Sequence, residues 1–333
     1  MKKINLAFAG FRHGHIYALY ESAKTNENVA IAGAWEEYAP SVKEAEEEHG
    51  VVFNYKSYED ILNDKEVDAV AIGNYYGARG KMVIEALKAG KHIISDKPLC
   101  ISLDEIHEIK RIAEEKKLET AMMLDLRYNA NAVTAKRLIE KGEIGRVNNI
   151  YFGGQHPLLY GLRAGWYFED GKHGGVINDI AVHGIDLIKY MANLETDKVL
   201  AARCWNAFAA KEPKFLDSAQ FMLRMKGGAG LIADVSYAVP DSIGFDLPCY
   251  WNFKIWGTEG VMEFSAGSSG VTVWKSGKTK AAVYEGETAA SNVLEDFVKR
   301  VNGDKNVILP STADTLSAAE ATLKIQHCAD EIS

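Results

Sequence analysis

The sequence predicts an α/β protein in two parts: a doubly wound parallel sheet over residues 1–124, then an α+β domain over 125–333 built on a large, open, mainly antiparallel sheet. Three observations carry this. Short apolar runs alternate with helical patterns as far as residue 125. Beyond residue 199, β-rich runs follow one another without helices between them. The length of 333 residues, at roughly 150 per domain, fits two domains that each bury a core.

The elements justify themselves in order. Ile4 to Ala9 reads as a buried strand, His15 to Lys24 as a helix, Val29 to Trp35 as a second strand and Pro40 to His49 as a polar helix. Asp68 to Gly73 is a strand, Lys81 to Ala89 a helix and His92 to Ser95 a strand. Ser102 to Lys117 is a long amphipathic helix with Ser102 as its N-cap, and Thr120 to Leu124 closes the series. Near-continuous apolar strands alternating with helices mean a parallel sheet covered on both faces, which binds its ligand at the strands' carboxyl ends. In the second part, Ala130 to Lys141 is a helix, Val147 to Phe152 a strand and Asn178 to Met191 a helix. Strands follow at Val199 to Phe208, Ser218 to Met225, Gly230 to Tyr237, Tyr250 to Gly257, Val261 to Phe264 and Val271 to Trp274. Helices at Ala290 to Val301 and Ala313 to Ile332 end the chain. One face of the second sheet is expected under helices, leaving the other for a partner.

Apolar residues make up 47% and charged residues 25%, ordinary globular usage. The net charge of −8 and the absence of any basic cluster larger than a pair argue against nucleic acid or an anionic membrane as partner. Cys100, Cys204, Cys249 and Cys328 are far apart and read as reduced thiols, not a disulfide framework or a zinc site. The apolar stretch after Lys2-Lys3 stops at Gly10, too short for a signal peptide, and no run reaches membrane-spanning length. The expected location is the cytoplasm.

After the first strand stands Gly10-Phe11-Arg12-His13-Gly14-His15. A dinucleotide fingerprint reads G-x-G-x-x-G, its glycines permitting a tight turn and close approach of backbone to pyrophosphate. Only Gly10 is in register; Arg12 and His15 replace the second and third glycines. Glu36, at the end of the second strand, can accept from ribose hydroxyls and repels a 2′-phosphate, so NAD is expected over NADP. Arg12 can reach a phosphate oxygen, a 2′-phosphate or solvent.

The segment Gly90-Lys91-His92-Ile93-Ile94-Ser95-Asp96-Lys97-Pro98-Leu99 resembles the A-G-K-H-V-x-x-E-K-P-L segment of the glucose–fructose oxidoreductase, inositol dehydrogenase and rhizopine-catabolism (Gfo/Idh/MocA) family, with Asp96 for the usual Glu. Tyr58 to Leu62, Val67 to Val70, Gly142 to Val147, Gly174 to Leu187 and Gly257 to Gly260 match the same family in the same order. Where the family usually has T-P-N-x-x-H, this chain reads Asn74-Tyr75-Tyr76-Gly77-Ala78-Arg79. The resemblance implies an N-terminal Rossmann domain and a C-terminal domain for substrate binding and oligomerisation, as a homodimer or homotetramer. It also implies NAD(P)-dependent oxidoreduction of a sugar, polyol or sugar derivative, with cofactor contacts at Gly10, Phe11, Arg12, His13, Glu36, Gly73, Asn74, Tyr75, Asp96 and Lys97.

By the same resemblance Lys97, Asp179 and His183 are catalytic, and the chemistry agrees. Asp179 and His183 stand four apart, on one helix face. Oxidising a carbinol requires loss of the hydroxyl proton, which an imidazole accepts near neutral pH. An ammonium stabilises the developing alkoxide or the carbonyl oxygen. Arg127, His156, Arg163, Trp166 and Tyr167 are expected to meet the substrate, since aromatic platforms with Arg and His suit a polyhydroxylated ring; the alternative is a loop packed on the second sheet. The spacings of His156, His173 and His183 fit no usual zinc pattern, and no metal is expected. Two other functions stay open: redox-assisted elimination or hydrolysis of a glycoside, and a dinucleotide-binding sensor without catalysis. A pure sensor has no need of Lys97, Asp179 and His183 together.

Overall fold

The computed structural model describes residues 1–331. It divides into two compact units. The first comprises Met1–Leu124, Ala164–Gly174 and Ser291–Ala319, the second Asp125–Arg163, Gly175–Ala290 and the residues from Glu320 onward. The first unit's opening stretch ends at Leu124, and two later segments join it through side chains that a linear pattern does not reveal.

In the first unit five strands, β1 (Ile4–Ala9), β2 (Val29–Trp35), β3 (Ala69–Ile72), β4 (His92–Ser95) and β5 (Thr120–Met122), lie in the order β2-β1-β3-β4-β5. All the pairings are parallel. Every residue of β3 is buried, as expected of a strand covered on both faces. The connecting helices are α1 (His15–Thr25), α2 (Ala39–His49), α3 (Tyr58–Asn63), α4 (Tyr76–Lys88) and α5 (Leu103–Lys116). Ser102 caps α5 as expected, accepting from Asp104 N. The unforeseen α3 opens with a capping box between Ser57 and Asp60; six residues are too few to show a helical period. The later segment α8 (Val293–Val301) inserts Leu294, Phe297 and Val298 into the core formed by Leu6, Phe8 and Ile16. Arg300 completes the attachment with two bonds of 2.9 and 2.7 Å to Glu119.

The second unit is built on eight strands: β6 (Val147–Pro157), β7 (Thr196–Trp205), β8 (Ser218–Met225), β9 (Gly230–Val239), β10 (Asn252–Gly257), β11 (Gly260–Ser265), β12 (Val271–Lys275) and β13 (Ala282–Tyr284). Their order is β13-β12-β11-β10-β6-β9-β8-β7. The pair β6–β9 is parallel and the other neighbours are antiparallel. Helices α6 (Ala130–Glu140) and α7 (Val182–Ala192) pack on one face. A turn of π-helix, Ile177–Ala181, leads into α7, where the sequence predicts plain α-helix from Asn178. On the other face Leu200, Met222, Ile232, Trp256 and Trp274 are exposed. The last helix, α9 (Thr312–Asp330), runs from the first unit's residues into the second's; the expected end at Ile332 lies outside the described residues.

Candidate active site

In the first unit the ends of β1 and β3 lie side by side, where the strand order reverses, the place at which such sheets bind ligands. Gly10 has φ +86°, and a Cβ there would stand 2.7 Å from Asn74 N. A Cβ on Gly73 would stand 2.6 Å from the Ile16 side chain. These two glycines let the loops touch. Arg12 N donates to Gly73 O at 2.9 Å and fixes the contact. Gly14 is the N-cap of α1, with no side-chain cap and nothing within 4 Å of a Cβ built there. The first-turn amides of this 11-residue helix are therefore not masked by a capping side chain, which suits a phosphate. In these respects the loop fits a dinucleotide despite its two missing glycines.

The other residues expected at the cofactor divide into backbone and side-chain roles. The Phe11 ring is buried among Phe8, Tyr20 and Phe53, so only its backbone faces the loop. Glu36 Oε2 accepts from Phe11 N at 2.6 Å, and Oε1 accepts from Glu37 N and Tyr38 N, both at 2.8 Å. A carboxylate has about four acceptor positions, so one remains for a ribose hydroxyl. The Arg12 guanidinium lies 4.0 Å from the Tyr38 ring centre and 5.5 Å from that of Tyr75. The Asn74 side chain is buried, its Oδ1 accepting from Tyr75 N at 2.8 Å and its Nδ2 meeting Met82 Sδ at 3.4 Å.

Asp96 is fully buried, and four donors saturate its carboxylate. His13 Nδ1 at 2.5 Å and the Arg79 guanidinium at 3.1 Å meet Oδ2; His15 Nδ1 at 3.0 Å and Lys97 N at 2.7 Å meet Oδ1. Burial alone would raise this carboxyl, but the charges of His13, Arg79 and His15 hold it well below the usual range. The His13 imidazole goes the other way: burial lowers it to about 4, against the opposing pull of Asp96. Lys97 itself is only 3% exposed.

Trp166 and Tyr167, expected at the substrate, are buried within the first unit. The Trp166 indole N–H donates to Arg12 O at 3.1 Å, and the Tyr167 hydroxyl lies 2.7 Å from that of Tyr76. His173 packs against both tyrosines. Gly77 permits this docking, because a Cβ there would stand 2.2 Å from Gly171 O. Trp166 and Tyr167 thus pack against the fingerprint loop and the start of α4.

In the second unit the π turn carries Asp179 and the first turn of α7 carries His183; they are 2% and 4% exposed. Gly184 brings α7 against β6, since a Cβ there would enter the Phe152 ring at 2.4 Å. On β6, β9 and β10 the residues facing these helices share one parity, and the register pairs Phe152 with both Ala233 and Phe253. The same parity carries on to His156, Tyr237 and Trp251. The Tyr237 hydroxyl donates a short hydrogen bond to Asp179 Oδ2. The Trp251 ring meets His183 edge-on at 5.3 Å, in space that Gly154 leaves open. His156 Nε2 lies 2.8 Å from the Tyr250 hydroxyl, whose proton burial holds far above its ordinary range. The sequence reading missed Tyr237, Tyr250 and Trp251; strand parity was the available signal.

Two arginines expected at the substrate are committed inside this unit. Arg127 is buried and forked on Asp186, Nε to Oδ2 at 2.7 Å and Nη2 to Oδ1 at 2.6 Å, with Tyr190 under its guanidinium. Arg163 donates to the carbonyls of Leu158 and Pro157 at 3.0 and 2.9 Å, bracing its own loop.

Comparison with known proteins agrees with this architecture. Residues 4–123 match the oxidoreductase family model for an NAD-binding Rossmann fold, and residues 132–263 match the Gfo/Idh/MocA C-terminal domain. The chain belongs to the Gfo/Idh/MocA family of oxidoreductases. It is 24% identical to an inositol 2-dehydrogenase/D-chiro-inositol 3-dehydrogenase of Lactiplantibacillus plantarum, over 96% of this chain and 89% of that one. Identity to a myo-inositol 2-dehydrogenase of Thermotoga maritima is 27%, over 66% of this chain and 63% of that one. The match to the uncharacterized oxidoreductase YrbE of Bacillus subtilis, at 26% identity, spans 60% of this chain and 57% of that protein. Among solved structures, a levoglucosan dehydrogenase in complex with NADH and levoglucosan shares the fold, with TM-score 0.79 at 19% identity over 99% and 97% of the two chains. Among the described residues no helix is long and apolar enough to cross a membrane.

Proposed function

We propose that this enzyme transfers a hydride between NAD and a carbinol or carbonyl carbon of a sugar, polyol or sugar derivative. The observation that carries the reading is burial. Lys97, Asp179 and His183, which would be solvated if they were surface residues, are each less than 5% exposed. Buried ionisable groups of this kind are rare without a partner or a task. The relatives named inositol dehydrogenases, and the fold neighbour named levoglucosan dehydrogenase, support a sugar or polyol as the substrate class.

Each side chain has a definite task in the oxidative direction. The His183 imidazole takes the hydroxyl proton. The Lys97 ammonium donates to a substrate oxygen as negative charge gathers on it, and withdraws no proton of its own. Asp179, held by the Tyr237 hydroxyl, presents its remaining acceptor positions to a neighbouring hydroxyl or to the imidazole. When bound, NAD supplies the acceptor for the hydride leaving carbon. Gly10, Gly14 and the amides that open α1 would hold its pyrophosphate, and Glu36 its adenosine ribose; the Glu36 carboxylate favours NAD over NADP. Arg12 already lies against Tyr38 and Tyr75.

A second copy of the chain would cover the apolar face that bears Met222, Ile232 and Trp256. The four cysteines form no disulfide, which supports a reducing compartment such as the cytoplasm. The test is a panel of inositols, aldoses, anhydrosugars and polyols with NAD and NADP, followed at the reduced-nicotinamide band. Turnover with NAD on at least one cyclic polyol or sugar is expected. Tight NAD binding without turnover on the whole panel overturns the dehydrogenase reading in favour of a sensor, and product without net NADH does so in favour of elimination.

A further inference from the structure

We propose that Arg79, His13 and His15 are positioning residues for Lys97, acting through Asp96; this rests on the catalytic reading of Lys97 given above. The two histidines come from one stretch of the chain and Arg79 from another, and two of the three stand where the family pattern has a different residue. His15 stands in place of the third fingerprint glycine, Arg79 in place of the histidine of T-P-N-x-x-H, and Asp96 in place of glutamate. All of these departures meet in one cluster.

The geometry shows what the cluster holds. Arg79 is buried without any exposure, and its guanidinium lies 4.5 Å from the Tyr76 ring centre. Nη1 donates to Lys97 O at 2.5 Å and to Pro98 O at 3.1 Å, Nη2 to Asp96 Oδ2 at 3.1 Å, and Nε to Asn74 O at 2.7 Å. On the other side of the lysine, Lys97 N donates to Asp96 Oδ1 at 2.7 Å. Both peptide groups flanking the Lys97 Cα are therefore gripped, one by the carboxylate and one by the guanidinium. The side chain leaves from a fixed point.

The imidazoles complete the arrangement. An ionised carboxylate only accepts, so both Nδ1 atoms carry the proton, and the Asp96 contact sets the tautomer of each ring. Arg79 supplies a countercharge, and the two imidazole donors satisfy the remaining lone pairs of the carboxylate. Because His13 stands on the loop after β1 and His15 opens α1, that loop and the helix start are tied to the lysine segment after β4.

The same atoms invite a competing assignment. Ligand-type atoms of His13, His15 and Asp96 lie within 4.8 Å of one another, as they would around a cation. The donors already on the carboxylate argue against it. A divalent ion would displace both Nδ1 protons and stand beside a buried guanidinium, a repulsion that the interior screens poorly.

The experiment uses the full chain and the variants Arg79→Ala, Arg79→Lys, His13→Ala and His13→Asn. NAD affinity is followed by protein fluorescence, and turnover with whichever sugar or polyol the panel supplies. Lysines are reductively methylated with ¹³C, and the Lys97 signal is assigned by its loss in Lys97→Arg. In Arg79→Ala, kcat is expected to fall about 100-fold, as a reacting group displaced by about 1 Å would cause. The KM for NAD moves less than about threefold, and added guanidinium restores part of kcat. The Lys97 methyl signal collapses onto those of surface lysines and returns with guanidinium. Arg79→Lys, which keeps the charge but not the fork, behaves like the alanine variant and serves if that one fails to fold. His13→Ala loses about tenfold, as outer partners of a catalytic group do, and His13→Asn recovers most of it by keeping a donor at the Nδ1 position. An unmoved Lys97 signal in both Arg79 variants overturns the proposal. So does one equivalent of zinc retained through dialysis against chelator. If the wild-type chain turns nothing over, the dehydrogenase reading fails while the Lys97 signal still decides this one.

Discussion

The two units handle buried polarity in opposite ways. Around Asp96 the first unit gathers a carboxylate, a guanidinium and two imidazoles, so that each charge is met by an opposite charge or a donor. Around Asp179 and His183 the second unit uses rings: Tyr237 bonds the carboxylate, Trp251 lies edge-on to the imidazole, and His156 and Tyr250 pair beside them. The first arrangement immobilises a backbone segment. The second shapes a surface with few strong donors, which suits hydroxyl groups that must be recognised and later released. A buried ionic cluster tolerates no missing member, whereas an aromatic cluster loses one hydrogen bond at a time.

The comparison breaks most sharply at the reacting groups. Lys97→Ala and His183→Ala should each lower kcat by about 10³-fold while NAD affinity changes less than about threefold, measured by steady-state kinetics and fluorescence titration. Unaltered turnover in both would remove the assignment. Arg127→Ala asks whether an ionic pair in the second unit behaves like the cluster in the first. It strands the buried Asp186 carboxylate and should cost about 3–5 kcal/mol in chemical denaturation. Arg127→Met together with Asp186→Leu should recover most of that loss; a single variant as stable as wild type would contradict the pairing.

Acid should strain the first unit before the second. Its His13 titrates near 4 when folded and near 6.5 when unfolded, so between those values the unfolded chain binds the extra proton. Stability is intact above about pH 6.5 and declines as pH falls toward 4. Asp96, held below its ordinary range, adds a further loss at lower pH. The His13 contribution is bounded by roughly 3 kcal/mol, at ~1.4 per pKa unit. Denaturation midpoints at pH 7.5 and 5 should differ less in His13→Asn than in wild type, and an equal difference would refute the assignment. The smallest effect sharpens the aromatic side: Tyr237→Phe removes the hydroxyl bonded to Asp179 and should lower kcat about tenfold and stability by about 1–3 kcal/mol. A loss as large as that of His183→Ala would make the phenol itself a reacting group.

Much of this was legible before any coordinates. The runs Ile4–Ala9, Val29–Trp35 and His92–Ser95 are strands with the expected ends, because a strand buried on both faces announces itself by unbroken apolar sequence. Asp179 and His183 could be paired because one helical turn separates them. Short elements such as α3 and β13 escaped, being shorter than the periods that would reveal them. Arg127, Trp166 and Tyr167 were legible as notable by residue type, whereas their partners Asp186, Arg12 and Tyr76 were not.

Local order, then, is written into this chain by itself: the alternation of strand and helix, the turn glycines at 10 and 73, the cap at Ser102, and a helix face bearing a carboxylate and an imidazole. Such features depend on residues a few positions apart, and spacing encodes them. Which donors surround Asp96 was decided only by folding, since they stand 83, 81 and 17 residues away and meet it because neighbouring parallel strands end at one edge. The same holds for Tyr237 on Asp179, 58 residues apart and joined by sheet register and by where α7 settles on it. A linear pattern records periodicity, and these partnerships have none.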